Sequence, residues 1–144
     1  MDYDKDRTRT VLLISILIVI FFVSYYFLLS NYQKREQAKI KIPDLVDITS
    51  INLQNLKEQK YVTNKVEITK IVNIIKNSKH TKKQSVNDYP TNATKVITIT
   101  FISKENNTTI YIYKQNDKYY VEQPYQNINV ITENSYNIIR KTFS

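Results

Sequence analysis

Side chains that could carry out chemistry are sparse in this sequence, and one group of them lies in the polar segment 81–94. Ser85 and Asp88 are close in sequence to the chain's one histidine, His80. A serine nucleophile needs a positioned base and a site for the oxyanion, and spacing within one polar loop supplies neither. We therefore interpret Ser85 and Asp88 as turn-capping residues and His80 as a solvated residue at a helix end.

Glu122 is the one carboxylate set among aromatic residues, in the segment 119–125 (YYVEQPY). A carboxyl group buried beside aromatic rings can act as a general acid, as it does in hydrolases with paired carboxylates. No second carboxylate has a spacing that places it opposite Glu122. We therefore expect a structural hydrogen bond from Glu122 to a tyrosine or to the polar loop, and keep an extracytoplasmic hydrolase-like enzyme built on Glu122 as the alternative.

Tyrosines near Glu122 make a stronger case for binding than for catalysis. A tyrosine offers a large contact area with a polar tip and is enriched at recognition surfaces. We predict a surface for a peptide, a partner domain or a wall glycan, unless a third layer or a loop of the same domain covers the rings. Its predicted members are Tyr111, Tyr113, Tyr120, Glu122, Gln123, Pro124 and Tyr125.

Composition removes most other kinds of site. The 144 residues include no Gly and no Cys. Phosphate-binding loops need glycine where the backbone approaches the phosphates, and Fe–S clusters, thiolate nucleophiles and Cys-based zinc sites need cysteine. One histidine also argues against a His-rich metal site. We expect no catalytic residues, no metal and no cofactor, and therefore a protein that is not an enzyme.

Residues 11–29 (VLLISILIVIFFVSYYFLL) carry no charge and predict a transmembrane helix, which we place at residues 11–30. At 1.5 Å per residue such a helix spans close to the ~30 Å hydrocarbon core of a bilayer. The apolar run is longer than a signal-peptide core, and no small-residue cleavage site follows it. The segment is therefore expected to remain as an uncleaved anchor.

The flanks of the helix set the expected topology. The N-terminal tail, residues 1–10, is short, and a domain at residues 44–144 can translocate largely regardless of its charge. We predict a cytoplasmic N-terminus and an extracytoplasmic C-terminal domain in the cell membrane, joined by a basic stalk at residues 31–43. Contact with anionic lipid head groups is predicted for the stalk residues Lys34, Arg35, Lys39 and Lys41.

The net charge of +8, from 21 Lys and Arg against 13 Asp and Glu, raises a third possibility. A cytoplasmic domain with this charge and many tyrosines could bind nucleic acid. The lysines are scattered rather than clustered, however, and an outward-facing domain meets no nucleic acid. The expected partners are therefore the lipid bilayer and an envelope protein or an anionic wall polymer.

The remaining pattern predicts an α+β domain. An N-cap at Asn64 begins a helix with buried positions spaced i, i+3, i+4 and i+7, ending near Lys79. An isoleucine-rich face of an antiparallel sheet is expected to pack against that helix and a second one. Strands are predicted at 47–54, 60–63, 95–102, 108–114, 118–122 and 127–131, and the second helix at 133–141. Asn and Asp are expected to take left-handed conformations in the turns 105–107 and 115–117, since glycine is absent.

Three short motifs resemble a family of small membrane-anchored or secreted proteins from low-GC Gram-positive bacteria that share a C-terminal domain of unknown function. They are the loop 81–90 (TKKQSVNDYP), the strand motif 111–113 (YIY) and the segment 119–125 (YYVEQPY). The resemblance covers residues 45–140 and implies a location and a folding unit, with no established activity. Where the family continues with Gly-Ile-Tyr, this chain has Asn127-Ile128-Asn129, and because Asn is the next best residue for a left-handed backbone, the turn is expected to be kept.

Overall fold

The computed structural model describes the backbone of residues 3–37 and 39–143 and the side chains of residues 7–33 and 39–143. The chain divides into two compact units, Met1–Gln37 and Ala38–Ser144. The second unit therefore begins earlier than the predicted domain boundary at residue 44. Residues 39–42, which were predicted as stalk, belong to the folded unit, and Ile40 is buried in its core.

The first unit is one helix, α1, at Tyr3–Gln37. Its segment Arg7–Gln33 is long and apolar enough to cross a membrane by length and composition. A helix of this length extends about 40 Å at 1.5 Å per residue, which exceeds the ~30 Å hydrocarbon core. The helix also continues through residues 31–37, where the sequence predicted a stalk.

The second unit is an α+β domain, as predicted. Its described residues form a seven-stranded sheet in which all neighbours are antiparallel, in the order β2-β1-β4-β5-β6-β7-β3. The elements are β1 (Ile48–Gln54), β2 (Gln59–Val62), α2 (Lys65–Lys76), β3 (Lys79–Gln84), β4 (Thr94–Ser103), β5 (Thr108–Gln115), β6 (Lys118–Glu122), β7 (Asn127–Ile131) and α3 (Glu133–Lys141).

The two faces of the sheet differ in chemistry because side chains alternate along each strand. On the apolar face, the cross-strand pairs Ile99↔Ile110 and Ile112↔Val121 join a core that includes the buried residues of both helices. Those helix residues are Ile68, Ile71, Val72 and Ile75 of α2, and Tyr136 and Ile139 of α3. The expected packing of two helices on an isoleucine-rich face is confirmed.

The opposite side of the sheet is called the tyrosine face here. It carries the pairs Tyr113↔Tyr120 and Tyr111↔Glu122. Farther along the same face, toward β1, the pairs are hydroxyl- and amide-bearing, and the hydroxyls of Thr100 and Thr109 lie 3.3 Å apart. The predicted grouping of Tyr111, Tyr113, Tyr120 and Glu122 on one face is therefore correct in register.

The strand β3 is the largest difference from the sequence-based expectation. The helix α2 ends at Lys76 with Asn77 as its C-cap rather than near Lys79, and residues 79–84 form an edge strand on β7 instead of a loop. The sequence KHTKKQ shows no apolar alternation because an edge strand with exposed side chains needs none, and lysines there discourage pairing with other chains. His80 is exposed, as expected, but lies in this strand, opposite Asn129.

Left-handed residues replace the missing glycines only at some of the expected places. Asn116 and Asp117 have φ of 47° and 58°, which confirms the prediction for the turn 115–117. Residues 105–107 do not enter this region, so that expectation is wrong, whereas a turn is kept before Asn127, which itself lies in β7. The left-handed residue near Asn127 is Tyr125, with φ of 58°.

The N-cap of α2 provides a test of the fold. Asn64 Oδ1 accepts hydrogen bonds from the backbone N–H groups of Val66 (2.8 Å) and Glu67 (3.3 Å). Because Asn64→Ala leaves both donors without this partner, it should lower the free energy of unfolding by about 1 kcal/mol. The matched control is Asn73→Ala, an exposed position within α2 where alanine is the better helix former. Urea unfolding followed by circular dichroism measures both, and equal losses would contradict the capping role.

Candidate functional site

Glu122, the last residue of β6, is the centre of a buried hydrogen-bond network on the tyrosine face. Its side chain is 3% exposed. Oε1 accepts a hydrogen bond from the hydroxyl of Ser85 at 2.6 Å, and Oε2 accepts one from the hydroxyl of Tyr113 at 2.7 Å. A buried carboxylate is tolerated only when donors replace the water it has lost, and these two hydroxyls are such donors. The expected hydrogen bond of Glu122 to a tyrosine is present, and the polar loop contributes Ser85.

Aromatic and cationic contacts extend this network across β5 and β6. The rings of Tyr113 and Tyr120 stack with centroids 5.6 Å apart, and Lys83 Nζ lies 4.9 Å from the centroid of the Tyr120 ring. A lysine over an aromatic face is attracted by the negative face of the ring. Burial, followed by the hydrogen bond to Glu122, holds the pKa of Tyr113 well above its ordinary value. Tyr113 therefore donates to Glu122 throughout the neutral range.

The segment 85–90, called the covering loop here, reaches the tyrosine face through an irregularity in β3. The register between β3 and β7 shifts between His80 and Gln84, and the hydroxyl of Thr81 donates to the carbonyl of Ile128. An irregularity of this kind bends a strand. The chain then crosses β6 and β5, so that the Tyr89 ring contacts the Tyr111 ring edge-on, with centroids 5.0 Å apart.

Ser85 also fixes the covering loop to the turn that follows β6. Its N–H donates to the carbonyl of Gln126 at 3.2 Å, and its hydroxyl oxygen accepts from the N–H of Tyr125 at 3.3 Å. The same serine thus bonds to the side chain of Glu122 and to the backbone of two consecutive residues in the turn, Tyr125 and Gln126. The sequence predicted a bond from Glu122 to a tyrosine or to the polar loop but did not identify Ser85 as a donor, because 37 positions separate the two residues.

The residues that lead into the domain pack against the same turn. Gln123 makes two hydrogen bonds to the backbone of Lys41, accepting from its N–H at 2.7 Å and donating to its carbonyl at 2.9 Å. The side chain of Asn127 donates to the carbonyl of Lys39 at 3.4 Å. The entry segment, residues 39–42, therefore lies beside the turn 123–127.

The structure brings the predicted surface residues together but buries several of them. Those covered by the domain are Tyr113, Tyr120, Glu122 and Gln123. Tyr111 and Pro124 are half-buried, and Tyr125 is 63% exposed. The covering loop contacts Glu122 and the Tyr111 ring, in line with the alternative that a loop of the domain covers this face, whereas Gln123 is covered by the entry segment.

The predicted lipid-contact residues fall in two parts of the chain. The side chains of Lys34 and Arg35 lie outside the part that the structure describes. Lys39 and Lys41 are exposed at the start of the domain. Lys41 also borders a groove of about 400 Å³ whose lining includes the carboxylates of Asp44, Asp47 and Glu105. Among the described residues, no three His, Asp or Glu side chains are arranged to hold a metal ion.

Three large side chains remain open to solvent beside the network and are called the aromatic corner here: Val86 (73% exposed), Tyr89 (50%) and Tyr125 (63%). Tyr125 takes a left-handed backbone, which is rare and costly for a bulky residue. A hydrogen bond with Asp88 raises the pKa of Tyr125 and restrains its ring. Val86 and Tyr89 were not among the predicted surface residues, although both lie in the loop motif 81–90 that carries the family resemblance.

These features define an α+β domain whose buried carboxylate fixes a loop and whose loop presents exposed aromatic residues. A family model named DUF5301, described as "Domain of unknown function (DUF5300)", matches residues 36–129. The chain belongs to this family. A solved structure, titled as the NMR structure of the protein from Ruminococcus gnavus, is similar at 33% identity and a TM-score of 0.58, covering 67% of this chain and 97% of that one. Among curated proteins there is no match.

The hydroxyl of Tyr113 should contribute to stability through Glu122. Tyr113→Phe keeps the ring but leaves the buried carboxylate with one side-chain donor fewer, so at neutral pH it should lower the free energy of unfolding by about 1.5–3 kcal/mol. Tyr111→Phe is the matched control, since the Tyr111 ring contacts Tyr89 and the substitution keeps that contact. Urea unfolding measures both variants, and a loss for Tyr111→Phe as large as that for Tyr113→Phe would contradict the network.

The raised pKa of Tyr113 also predicts a pH dependence. An unfolded tyrosine loses its proton near pH 10, whereas the folded protein retains the proton on Tyr113. The stabilisation is therefore complete below pH 10 and is lost as the pH rises above it, by up to about 1.4 kcal/mol per pH unit for one proton. Unfolding free energies measured above pH 10 should fall less steeply in Tyr113→Phe than in the natural sequence. Equal slopes would show that Tyr113 titrates normally.

Proposed function

We propose that the chain is a single-pass membrane protein that presents its DUF5301 domain outside the cell as a non-enzymatic binding module. The partner is a component of the cell envelope: a protein, a peptide, an anionic polymer or the bilayer itself. The aromatic corner is the contact surface. The observation that carries the proposal is the exposed Tyr125 ring, which the fold holds at a costly backbone conformation.

The anchor and its orientation are supported by the N-terminal helix. Arg7–Gln33 has the length and composition of a membrane span. The compact unit Ala38–Ser144 that follows this span is long enough to translocate largely regardless of its charge, which supports the outward orientation. The sequence resemblance supports a Gram-positive envelope as the setting.

Preorganisation supports a binding role for the aromatic corner. The covering loop is held by Ser85 at three points and by the contact of Tyr89 with Tyr111. A partner that binds side chains already ordered by the fold loses less entropy than one that must order them itself. Exposed aromatic rings without such a partner would add strain and apolar surface to the domain with no gain in stability.

The environment of Glu122 supports a non-enzymatic role. A general acid or base must come within hydrogen-bond reach of its substrate. Both oxygens of Glu122 are engaged by hydroxyls of the protein, and the side chain is 3% exposed. The hydrogen bond from Ser85 gives Glu122 a structural role instead, since it fixes the covering loop to β6.

Photo-crosslinking in intact cells tests the binding surface. A photoreactive phenylalanine derivative at Tyr125 should form a discrete adduct with an envelope component. The matched control is the same derivative at Tyr61, which is 60% exposed on β2, at the other edge of the sheet. The proposal predicts adducts at position 125 well above those at position 61. Equal yields at both positions, or none at position 125, would contradict it.

A further inference from the structure

We infer that the aromatic corner docks on the anionic lipid surface of the bilayer that α1 crosses. The inference rests on the proposed function, since it names the partner of the same surface. It follows from three observations: where the chain enters the domain, which side chains surround that point, and how short the connection to the helix is.

The entry segment and the aromatic corner share one end of the domain. The carbonyl of Lys39 accepts a hydrogen bond from Asn127, and the backbone of Lys41 is bonded to Gln123. Tyr125 lies between Gln123 and Asn127 in the turn, and its N–H donates to the hydroxyl oxygen of Ser85 in the covering loop. Lys39, Tyr125 and the covering loop therefore lie at the same end of the domain.

The connection between α1 and Lys39 is short. The helix ends at Gln37, so that one residue separates it from Lys39. Four helical residues after Gln33 and two extended steps give a reach of at most about 13 Å from the end of the candidate span to Lys39. Head-group layers extend roughly 5–8 Å beyond the hydrocarbon core on each side. The covalent chain therefore tethers Lys39 within about 13 Å of the last residue of the candidate span.

The side chains at this end fit the interface between lipid and water. Tyrosine is enriched at that level of membranes because its ring is apolar and its hydroxyl is polar. The aromatic corner has two such rings, with Val86 beside them. Lys82 and Lys83 are exposed near the end of β3 that leads into the covering loop. Asp88 lies in the covering loop and is hydrogen-bonded to Tyr125, and the carboxylates at this end of the domain also include Asp44, Asp47 and Glu105, which line the groove beside Lys41. Lysines attract anionic head groups, whereas the rings add apolar contact.

A small patch is sufficient because the domain is tethered. A short linker gives the second contact an effective concentration of about millimolar, so a weak intrinsic affinity for lipid becomes a populated docked state. A diffusing protein or wall polymer has no such tether to this surface. The bilayer is therefore the partner that the arrangement favours.

Fluorescence in nanodiscs tests the docking on the full chain. The sequence has no cysteine, so Val86→Cys introduces a single site for an environment-sensitive dye without removing either tyrosine. Nanodiscs contain phosphatidylcholine and phosphatidylglycerol in equal parts, with a nitroxide on a fraction of the head groups. The matched control is Leu56→Cys, an apolar residue that is 96% exposed between β1 and β2. The dye at position 86 should be quenched roughly twofold more than the dye at position 56.

Two further comparisons identify the contacts responsible. The pair Tyr89→Ser and Tyr125→Ser should reduce the quenching at position 86, whereas Tyr61→Ser should not. Lys82→Glu, or replacement of phosphatidylglycerol by phosphatidylcholine, should also reduce it. Quenching at position 86 that equals that at position 56, or that ignores both the tyrosines and the lipid charge, would overturn the inference.

The failure of this inference is distinguishable from failure of the proposed function. Adducts at position 125 in cells with no quenching at position 86 in nanodiscs would leave a binding module whose partner is not the lipid surface. Absence of both signals would overturn the binding role itself. Quenching together with adducts to lipid would support both.

Discussion

A carboxylate buried in a protein must receive hydrogen bonds from the protein itself, and Glu122 imposes this condition on the whole tyrosine face. One of its donors, Tyr113, is on the neighbouring strand and is positioned by the sheet. The other, Ser85, comes from beyond β3 and can reach Glu122 only if the chain turns over the sheet. The covering loop, the contact of Tyr89 with Tyr111 and the exposed aromatic corner all follow from that second bond.

Because the chain has no glycine, other residues adopt the left-handed conformation in its turns. Asn116 and Asp117 accept the left-handed conformation with little penalty, since their short polar side chains tolerate it. Tyr125 does not have that advantage, and its conformation depends on the N–H bond to Ser85 and the hydrogen bond with Asp88. The same contacts that stabilise the turn leave its ring in solvent, which connects local strain to the surface that we propose for binding.

Much of the architecture could be predicted because its signals are local. The alternation of Ile97, Ile99 and Phe101 identifies β4, and the spacing of buried residues from Ile68 to Ile75 identifies α2. The edge strand β3 has no such signal, since exposed lysines replace the apolar alternation and only its pairing with β7 makes it a strand. The bond between Ser85 and Glu122 joins distant positions and depends on an irregular register that no short pattern shows.

The proposed function depends on which side of the membrane the domain occupies. The most direct measurement labels a single cysteine with a membrane-impermeant maleimide on intact, wall-stripped cells, using Leu56→Cys in the domain because that position is almost fully exposed. Asp4→Cys in the N-terminal tail is the control. If the domain is extracytoplasmic, position 56 is labelled in intact cells and position 4 only after permeabilisation. The reverse pattern would place the domain in the cytoplasm, contradict the extracytoplasmic module and favour cytoplasmic partners, nucleic acid among them.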